Sequence, residues 1–183
     1  MTKLWSFENN GASGVRWADG NRPVHAGEGL CFGYSLIWCI KSQKFPDKPN
    51  LTKPDQFAAG LLQQRAETMF GAGGGDFDAT VTSLVSKNGH SAEASISRTW
   101  SLLPRICALT GGHYIIQIGD HWIAYANAGG TCYFFDSNDG LYDFDHPTDF
   151  SQHVTTALRD NYKDDPDPDN GWSDMHMAFK ITA

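Results

Sequence analysis

Residues 29–42 of the chain read Gly-Leu-Cys-Phe-Gly-Tyr-Ser-Leu-Ile-Trp-Cys-Ile-Lys-Ser. From Phe32 to Ser42 the run is apolar on nearly every face, which is typical of a helix buried on all sides. The glycine-rich stretch Gly27-Glu-Gly29 precedes it. The pattern therefore predicts a central buried helix whose N-terminus carries Cys31.

Two further helices are predicted downstream of this one. Thr52-Lys-Pro-Asp55 resembles a capping box, and apolar residues recur at helical spacing from Phe57 to Phe70. Asp76 is a candidate cap for a third helix, which ends at Asn88-Gly89. Residues 1–30 are rich in turn formers and lack a sustained period, so we expect an irregular arm there.

From Gly111 onward the pattern changes to short runs rich in β-branched and aromatic residues, separated by turn signals. The predicted strands cover residues 113–118, 121–125, 131–135 and 141–144, with a closing strand at 174–181. An amphipathic helix is expected over residues 149–161. Helices first and an antiparallel meander second predict an α+β fold.

Composition limits the kind of protein this can be. With 183 residues, 40% hydrophobic and 19% charged, the chain is expected to fold as a single domain spanning residues 1–183. Its longest uncharged stretch, Gly29–Ile40, is short of the roughly 20 residues of a membrane-spanning helix. The N-terminus lacks the apolar region of a signal peptide, so we expect synthesis in a reducing cytosol.

The net charge of −7 is concentrated near the C-terminus, where nine Asp between Asp143 and Asp174 face only Arg159 and Lys163. The rest of the chain has no basic excess, which argues against a nucleic-acid partner. Asp165-Pro-Asp-Pro-Asp-Asn-Gly171 has alternating Asp as in a calcium loop, but the spacing of Gly and the bidentate Glu does not match. We therefore expect a solvated acidic loop and no metal or other cofactor.

The four cysteines form no CxxC pair and are predicted to be reduced thiols. Cys39, Cys107 and Cys132 are interpreted as buried apolar residues. Cys31 differs because a helix N-terminus stabilises a thiolate and offers unpaired backbone amides to an oxyanion.

A hairpin between residues 121 and 136 would bring a histidine to an acid. If Ala128 and Gly129 are its central pair, His121 lies directly opposite Asp136, at a distance where a carboxylate reaches an imidazole. The chain then has a nucleophile, a general base and an orienting acid in the order Cys, His, Asp. His113 is the alternative base, but no acid stands at a comparable pairing distance from it. A metal site is a further alternative, with His113, His121 and Asp136 as ligands. The chain has no histidine pair at i, i+4 spacing to support it.

Three segments, Gly29–Trp38, His121-Trp-Ile-Ala124 and Phe134-Phe-Asp-Ser-Asn-Asp-Gly140, together resemble the YopT/AvrPphB-type cysteine peptidases, a papain-like clan of bacterial effectors. The resemblance implies a papain-like fold in which the nucleophile Cys31 begins a central helix packed on an antiparallel sheet. It implies His121 as general base and Asp136 as its orienting acid.

Papain-like enzymes usually place an amide side chain a few residues before the cysteine as an oxyanion donor. Here His25 stands six residues before Cys31, and no Asn or Gln lies between Pro23 and Cys31. His25, Asn21 or backbone amides alone are the candidates for that role.

The expected function is hydrolysis of a protein substrate, with a host protein as a candidate target. A glutamine or asparagine deamidase is the closest alternative because it forms the same acyl-enzyme, and the resemblance implies host small GTPases as candidate targets for either activity. Transglutaminase chemistry comes third, and a non-catalytic papain-like binding module is the alternative from another class. The resemblance further implies export from a bacterial cytoplasm by a dedicated secretion system, and a cognate inhibitor or chaperone as a further partner.

Overall fold

The computed structural model describes residues 1–7, 30–44, 53–73, 77–96, 111–118, 121–128, 130–146, 149, 152 and 176–183. Within this part of the chain lie three α-helices and seven β-strands. The helices are α1 (Cys31–Ser42), α2 (Gln56–Gly73) and α3 (Phe77–Lys87). The strands are β1 (Thr2–Ser6), β2 (Ser91–Ile96), β3 (Gly112–Ile118), β4 (His121–Ala128), β5 (Thr131–Asp136), β6 (Gly140–Phe144) and β7 (His176–Thr182).

The strands form one antiparallel sheet in the order β1-β6-β5-β4-β3-β7-β2. Strands β3 to β6 are the predicted meander. The last strand in the chain, β7, inserts between β3 and β2, so the sheet is completed by a segment far away in sequence. The α+β class is confirmed.

Two strands differ from the sequence-based prediction. The expectation of an irregular arm over residues 1–30 is wrong for Thr2–Ser6, which pairs with β6 as β1. Residues 91–96, for which no element was predicted, form β2 against β7. Of the helix expected over residues 149–161, Asp149 and Gln152 are helical. The rest of that helix and the acidic loop at 165–171 lie outside the described residues.

Helix α1 packs across strands β3, β4 and β5 and buries one face of the sheet. Its apolar character on every side is explained by this position, because α2 covers the side that faces away from the sheet. Trp38 stacks on Phe135 of β5 with ring centroids 6.0 Å apart, and Phe32 meets the edge of Trp122 at 5.0 Å. Burial of these large side chains is the main stabilising contribution at this interface.

Helices α1 and α2 approach so closely at Gly33 that a Cβ atom built there would overlap the carbonyl oxygen of Ala59. Glycine therefore allows the backbone of α2 to lie directly against the first turn of α1. This close approach fixes where the N-terminus of α1 lies relative to α2. None of the helices in the described ranges combines the length and apolar content that crossing a bilayer requires.

Candidate active site

Cys31 is the first residue of α1, as the sequence predicted. Its residue is 8% exposed, whereas Cys39 and Cys132 are completely buried. The first intrahelical hydrogen bond runs from the Tyr34 N–H to the Leu30 carbonyl. The backbone amides of the three residues from Cys31 to Gly33 therefore precede the regular hydrogen-bond ladder of the helix.

His121 and Asp136 are brought together by the hairpin of β4 and β5. The Nε2 atom of His121 lies 2.9 Å from Oδ1 of Asp136, and both side chains are buried. The predicted pairing of the two residues is nevertheless wrong by two positions, because Asp136 pairs with Ile123. Ala128 is not a central turn residue, because it pairs with Thr131 as the last residue of β4.

The shift of two residues has a simple cause and leaves the site intact. Gly130 has φ +86°, a conformation that glycine adopts far more readily than alanine, and a Gly-Gly pair suits a two-residue hairpin turn. Because side chains alternate between sheet faces with a period of two, His121 and Asp136 remain on the same face. They interact as diagonal neighbours, which long side chains can do.

Asp136 is held by the turn that follows it. Its Oδ1 accepts a hydrogen bond from the Asn138 N–H at 2.8 Å, and its carbonyl oxygen accepts one from the Asp139 N–H at 3.1 Å. The N-terminal segment contacts this turn from the other side. Lys3 of β1 forms an ion pair with the Asp139 carboxylate, and the N–H of Phe7, the residue after β1, donates to the Asp139 carbonyl at 2.9 Å. Lys3 and Phe7 thus anchor Asp139, which closes the turn that follows Asp136.

The Cys31 side chain lies close enough to His121 to influence its protonation. Burial alone would lower the pKa of His121, but the Asp136 carboxylate and the Cys31 thiol together raise it to about 10. An imidazole in this setting favours its protonated form. Cys31, His121 and Asp136 therefore lie together at the N-terminus of α1.

Ser35 connects the nucleophile's helix to the histidine's strand. Its buried hydroxyl donates a hydrogen bond of 3.0 Å to the carbonyl of Trp122, the residue after His121. Trp122 itself is buried and packs against Phe32 and Phe179, so it is a core residue. One turn of α1 thus holds both Cys31 and the attachment to β4.

His113, the alternative base, lies at the other end of α1. It hydrogen bonds to the backbone of Ser42, whereas Cys31 is about 16 Å away along the helix axis at 1.5 Å per residue. Burial lowers the pKa of His113 to about 4. His113 therefore does not join His121 and Asp136 in a metal set, and no cluster of three or more metal-binding side chains occurs among the described residues.

The other described thiols are in inert surroundings, as predicted. The Cys39 thiol donates to the Tyr114 carbonyl, and burial raises its pKa far above the usual range. Cys132 lies 3.3 Å from the Tyr125 hydroxyl. Cys107 and the oxyanion candidates His25 and Asn21 lie outside the described residues.

One residue near Cys31 was not predicted to belong to the site. Gln63 of α2 accepts a hydrogen bond of 3.2 Å from the Gly33 N–H, two residues after Cys31. No spacing rule connects a glutamine 32 positions downstream to the cysteine. The available signal was the lone glycine in an otherwise bulky helix, which marks the close approach of a neighbouring backbone.

Comparison with known proteins supports the fold. No protein-family model matches the sequence, and no curated protein matches it. Among solved structures, the avirulence protein AvrPphB of Pseudomonas is similar with a TM-score of 0.61 and 15% sequence identity, over 84% of this chain and 92% of that one. The chain therefore has the papain-like fold of AvrPphB, which the resemblance in sequence implied.

Two other structures have lower similarity. PatoxP, a cysteine protease-like domain of the Photorhabdus asymbiotica toxin PaTox, has a TM-score of 0.48 and 12% identity, over 96% of this chain and 52% of that one. The ubiquitin-specific protease of the murine cytomegalovirus tegument protein M48 has a TM-score of 0.44 and 12% identity, over 96% and 84%. The fold assignment depends on the first comparison.

Proposed function

We propose that the protein is a cysteine peptidase of the YopT/AvrPphB type that acts on a protein substrate, with Cys31 as nucleophile, His121 as general base and Asp136 as orienting acid. The observation that carries the proposal is the buried hydrogen bond of 2.9 Å between His121 and Asp136, next to a cysteine at a helix N-terminus. The recognised unit in such enzymes is the geometry of the three residues.

The tautomer of His121 follows from its contacts. Because Nε2 faces Asp136, Nδ1 is the ring nitrogen that is left to exchange a proton with the Cys31 thiol. Transfer of the thiol proton to Nδ1 gives a thiolate beside an imidazolium, and the Asp136 carboxylate stabilises the positive charge. The raised pKa of His121 is consistent with an ion pair in the resting protein.

Catalysis then proceeds in two halves. The thiolate attacks the carbonyl carbon of the scissile amide, and the electron pair of the C=O bond moves to its oxygen, which the amides at the start of α1 stabilise. Collapse of this intermediate breaks the C–N bond, and His121 gives its proton to the departing amine. Water adds to the carbonyl carbon of the thioester while His121 removes a proton from the water. Collapse of this second intermediate breaks the C–S bond, releases the carboxylic acid and returns the proton from His121 to the Cys31 sulfur.

Alkylation of the thiols is the direct test of this assignment. With limiting iodoacetamide at about pH 6, we expect modification at Cys31 alone, because a thiolate outcompetes ordinary thiols. His121→Ala should remove that selectivity, and Cys39 in the same sample reports on a buried, inert thiol. Equal labelling of several cysteines, or none at Cys31, would contradict a catalytic role.

Peptide-bond cleavage is measured directly on protein substrates. Host-cell extract incubated with the protein should contain new N-termini that are absent with Cys31→Ala, while the two proteins have nearly the same thermal melt. A gain of about one dalton on a glutamine or asparagine, without cleavage, would instead identify a deamidase, which shares the acyl-enzyme.

We further propose that the protein acts in a target cell after export by a dedicated secretion system. Support comes from the fold shared with a Pseudomonas avirulence protein. Export is tested with a reporter fused to the chain, whose signal should reach the target cell only when the secretion machinery of the producing bacterium is intact.

A further inference from the structure

Helix α1 begins without a capping side chain of its own. Its N-cap residue, Leu30, has no side chain that could accept a hydrogen bond, and the first turn contains no acidic residue. Most helices use Ser, Thr, Asp or Asn at this place, and an acidic residue in the first turn adds a favourable charge. The helix that carries Cys31 has neither.

The missing acceptor is supplied by another helix. Gln63 lies one turn after Ala59 on α2, and Ala59 is the residue whose backbone touches Gly33. From this position the Oε1 atom of Gln63 accepts the Gly33 N–H at 3.2 Å. The contact between the two backbones thus places the side chain of Gln63 at the third residue of α1.

The acceptor of the Gly33 N–H is neutral, and this affects the charge around Cys31. An Asp or Glu side chain would satisfy the same N–H and would stabilise the helix more, because negative charge is favourable at a helix N-terminus. It would also stand two residues from Cys31 and oppose both a thiolate and a developing oxyanion. A carboxamide satisfies the amide and adds no net charge.

We propose that Gln63 is a positioning residue for the reaction of Cys31: it caps α1 from α2, holds the first turn in place and adds no negative charge at the Gly33 amide. This proposal depends on the catalytic role of Cys31. The titratable groups that meet this region from the neighbouring described elements are His121 on β4, Asp136 behind it on β5, and Asp55 ahead of α2, whose charge is felt at Tyr34.

The test separates capping from charge. Gln63→Glu keeps an oxygen for the Gly33 amide but adds a negative charge, whereas Gln63→Met has a similar length and no acceptor. Gln64→Glu is the matched control, because it makes the same charge change about 100° around the helix. For each variant we would measure the thermal melt and the rate of Cys31 alkylation by iodoacetamide between pH 5 and pH 8.

We expect Gln63→Met to melt at a lower temperature than the wild type. Gln63→Glu should melt at or above the wild-type temperature. Its Cys31, however, should react with iodoacetamide roughly tenfold more slowly at pH 6, and the pH of half-maximal rate should rise, because a negative charge at the Gly33 amide opposes a thiolate two residues away. Gln64→Glu should change neither quantity appreciably.

A positioning role is identified if Gln63→Glu keeps the wild-type melting temperature but loses Cys31 reactivity. If Cys31 in Gln63→Glu reacts at the wild-type rate with an unchanged pH profile, Gln63 is only a structural contact and the proposal is wrong, although selective labelling of the wild type would leave the proposed function standing. If wild-type Cys31 itself shows no selective reaction, the proposed function fails and this proposal fails with it. Should Gln63→Met not fold, the Gln63→Glu profile alone decides.

Discussion

His121 and Asp136 form a buried hydrogen bond although they are not partners in the β4–β5 ladder. Asp136 pairs with Ile123, and the imidazole reaches the carboxylate diagonally, with Nε2 2.9 Å from Oδ1. The Asn138 N–H donates a hydrogen bond to the same oxygen and so fixes the direction of the carboxylate. Side-chain length and the Asp136 turn therefore determine this contact as much as strand register does.

The first prediction concerns the charge of His121. Asp136→Asn removes the negative charge next to a buried imidazole, so the pKa of His121 should fall from its raised value. In the wild type, we expect the ¹⁵N signals of His121 to remain those of an imidazolium from pH 6 to pH 8. A neutral His121 in the wild type at pH 7 would contradict the ion pair, and His121→Gln assigns the signal.

The second prediction concerns the contact between α1 and α2. Gly33→Ala gains about 1 kcal/mol of helix propensity. The new methyl group, however, overlaps the Ala59 carbonyl, and overpacking against backbone costs roughly 3 kcal/mol. We expect a net loss of about 2 kcal/mol and a fall in Tm of roughly 4–8 °C in calorimetry. Ser86→Ala, at an exposed position of α3, is the control and should shift Tm little.

The third prediction is a pH dependence of stability caused by His113. Burial lowers the pKa of His113 to about 4, so between about pH 6.5 and pH 4 the unfolded chain binds this proton and the folded protein does not. Falling pH through this window therefore favours unfolding. Between pH 7 and pH 5 we expect His113 to account for about 1–2 kcal/mol of lost stability in urea titrations.

His113→Gln should remove this part of the loss, whereas the same change at the exposed His146 should not. Parallel losses in the wild type and in His113→Gln would assign the pH dependence to other groups.

The fourth prediction separates two contacts that hold β1 on the sheet. The Lys3–Asp139 ion pair is about one-third exposed, so Lys3→Ala should cost less than about 1 kcal/mol. Gly140 has φ +149°, and a Cβ atom there would overlap the Trp5 carbonyl, so Gly140→Ala should separate β1 from β6.

Hydrogen exchange of the amides in residues 2–6 measures this difference. We expect loss of protection in Gly140→Ala and near wild-type protection in Lys3→Ala. The opposite order would show that the ion pair, rather than the strand pairing, holds β1.

The parts of the fold that sequence could predict are those with a strong local signal. The apolar run after Cys31 predicted α1, and the β-branched runs predicted β3 to β6, because burial on these elements imposes a visible period. His121 and Asp136 meet despite the error in the predicted register, because an even shift keeps both side chains on the same sheet face.

The parts that could not be predicted depend on distant segments. β1 has only five residues and β2 is built largely of Ser and Ala, so neither has a pronounced strand pattern. The position of β7 between β3 and β2 is set by packing over the whole chain. The contact between Gln63 and Gly33 likewise exists only once α1 and α2 have met.

The strand order also has a consequence for biosynthesis. During translation, β2 and β3 emerge from the ribosome long before β7, yet β7 is the strand that joins them. Until residues 176–182 are available, the nascent chain carries two strand edges that lack their final partner, which is a setting that favours aggregation. We therefore expect folding to be largely post-translational and slow, and the recovery of active protein to improve when synthesis is slowed or a chaperone covers these edges.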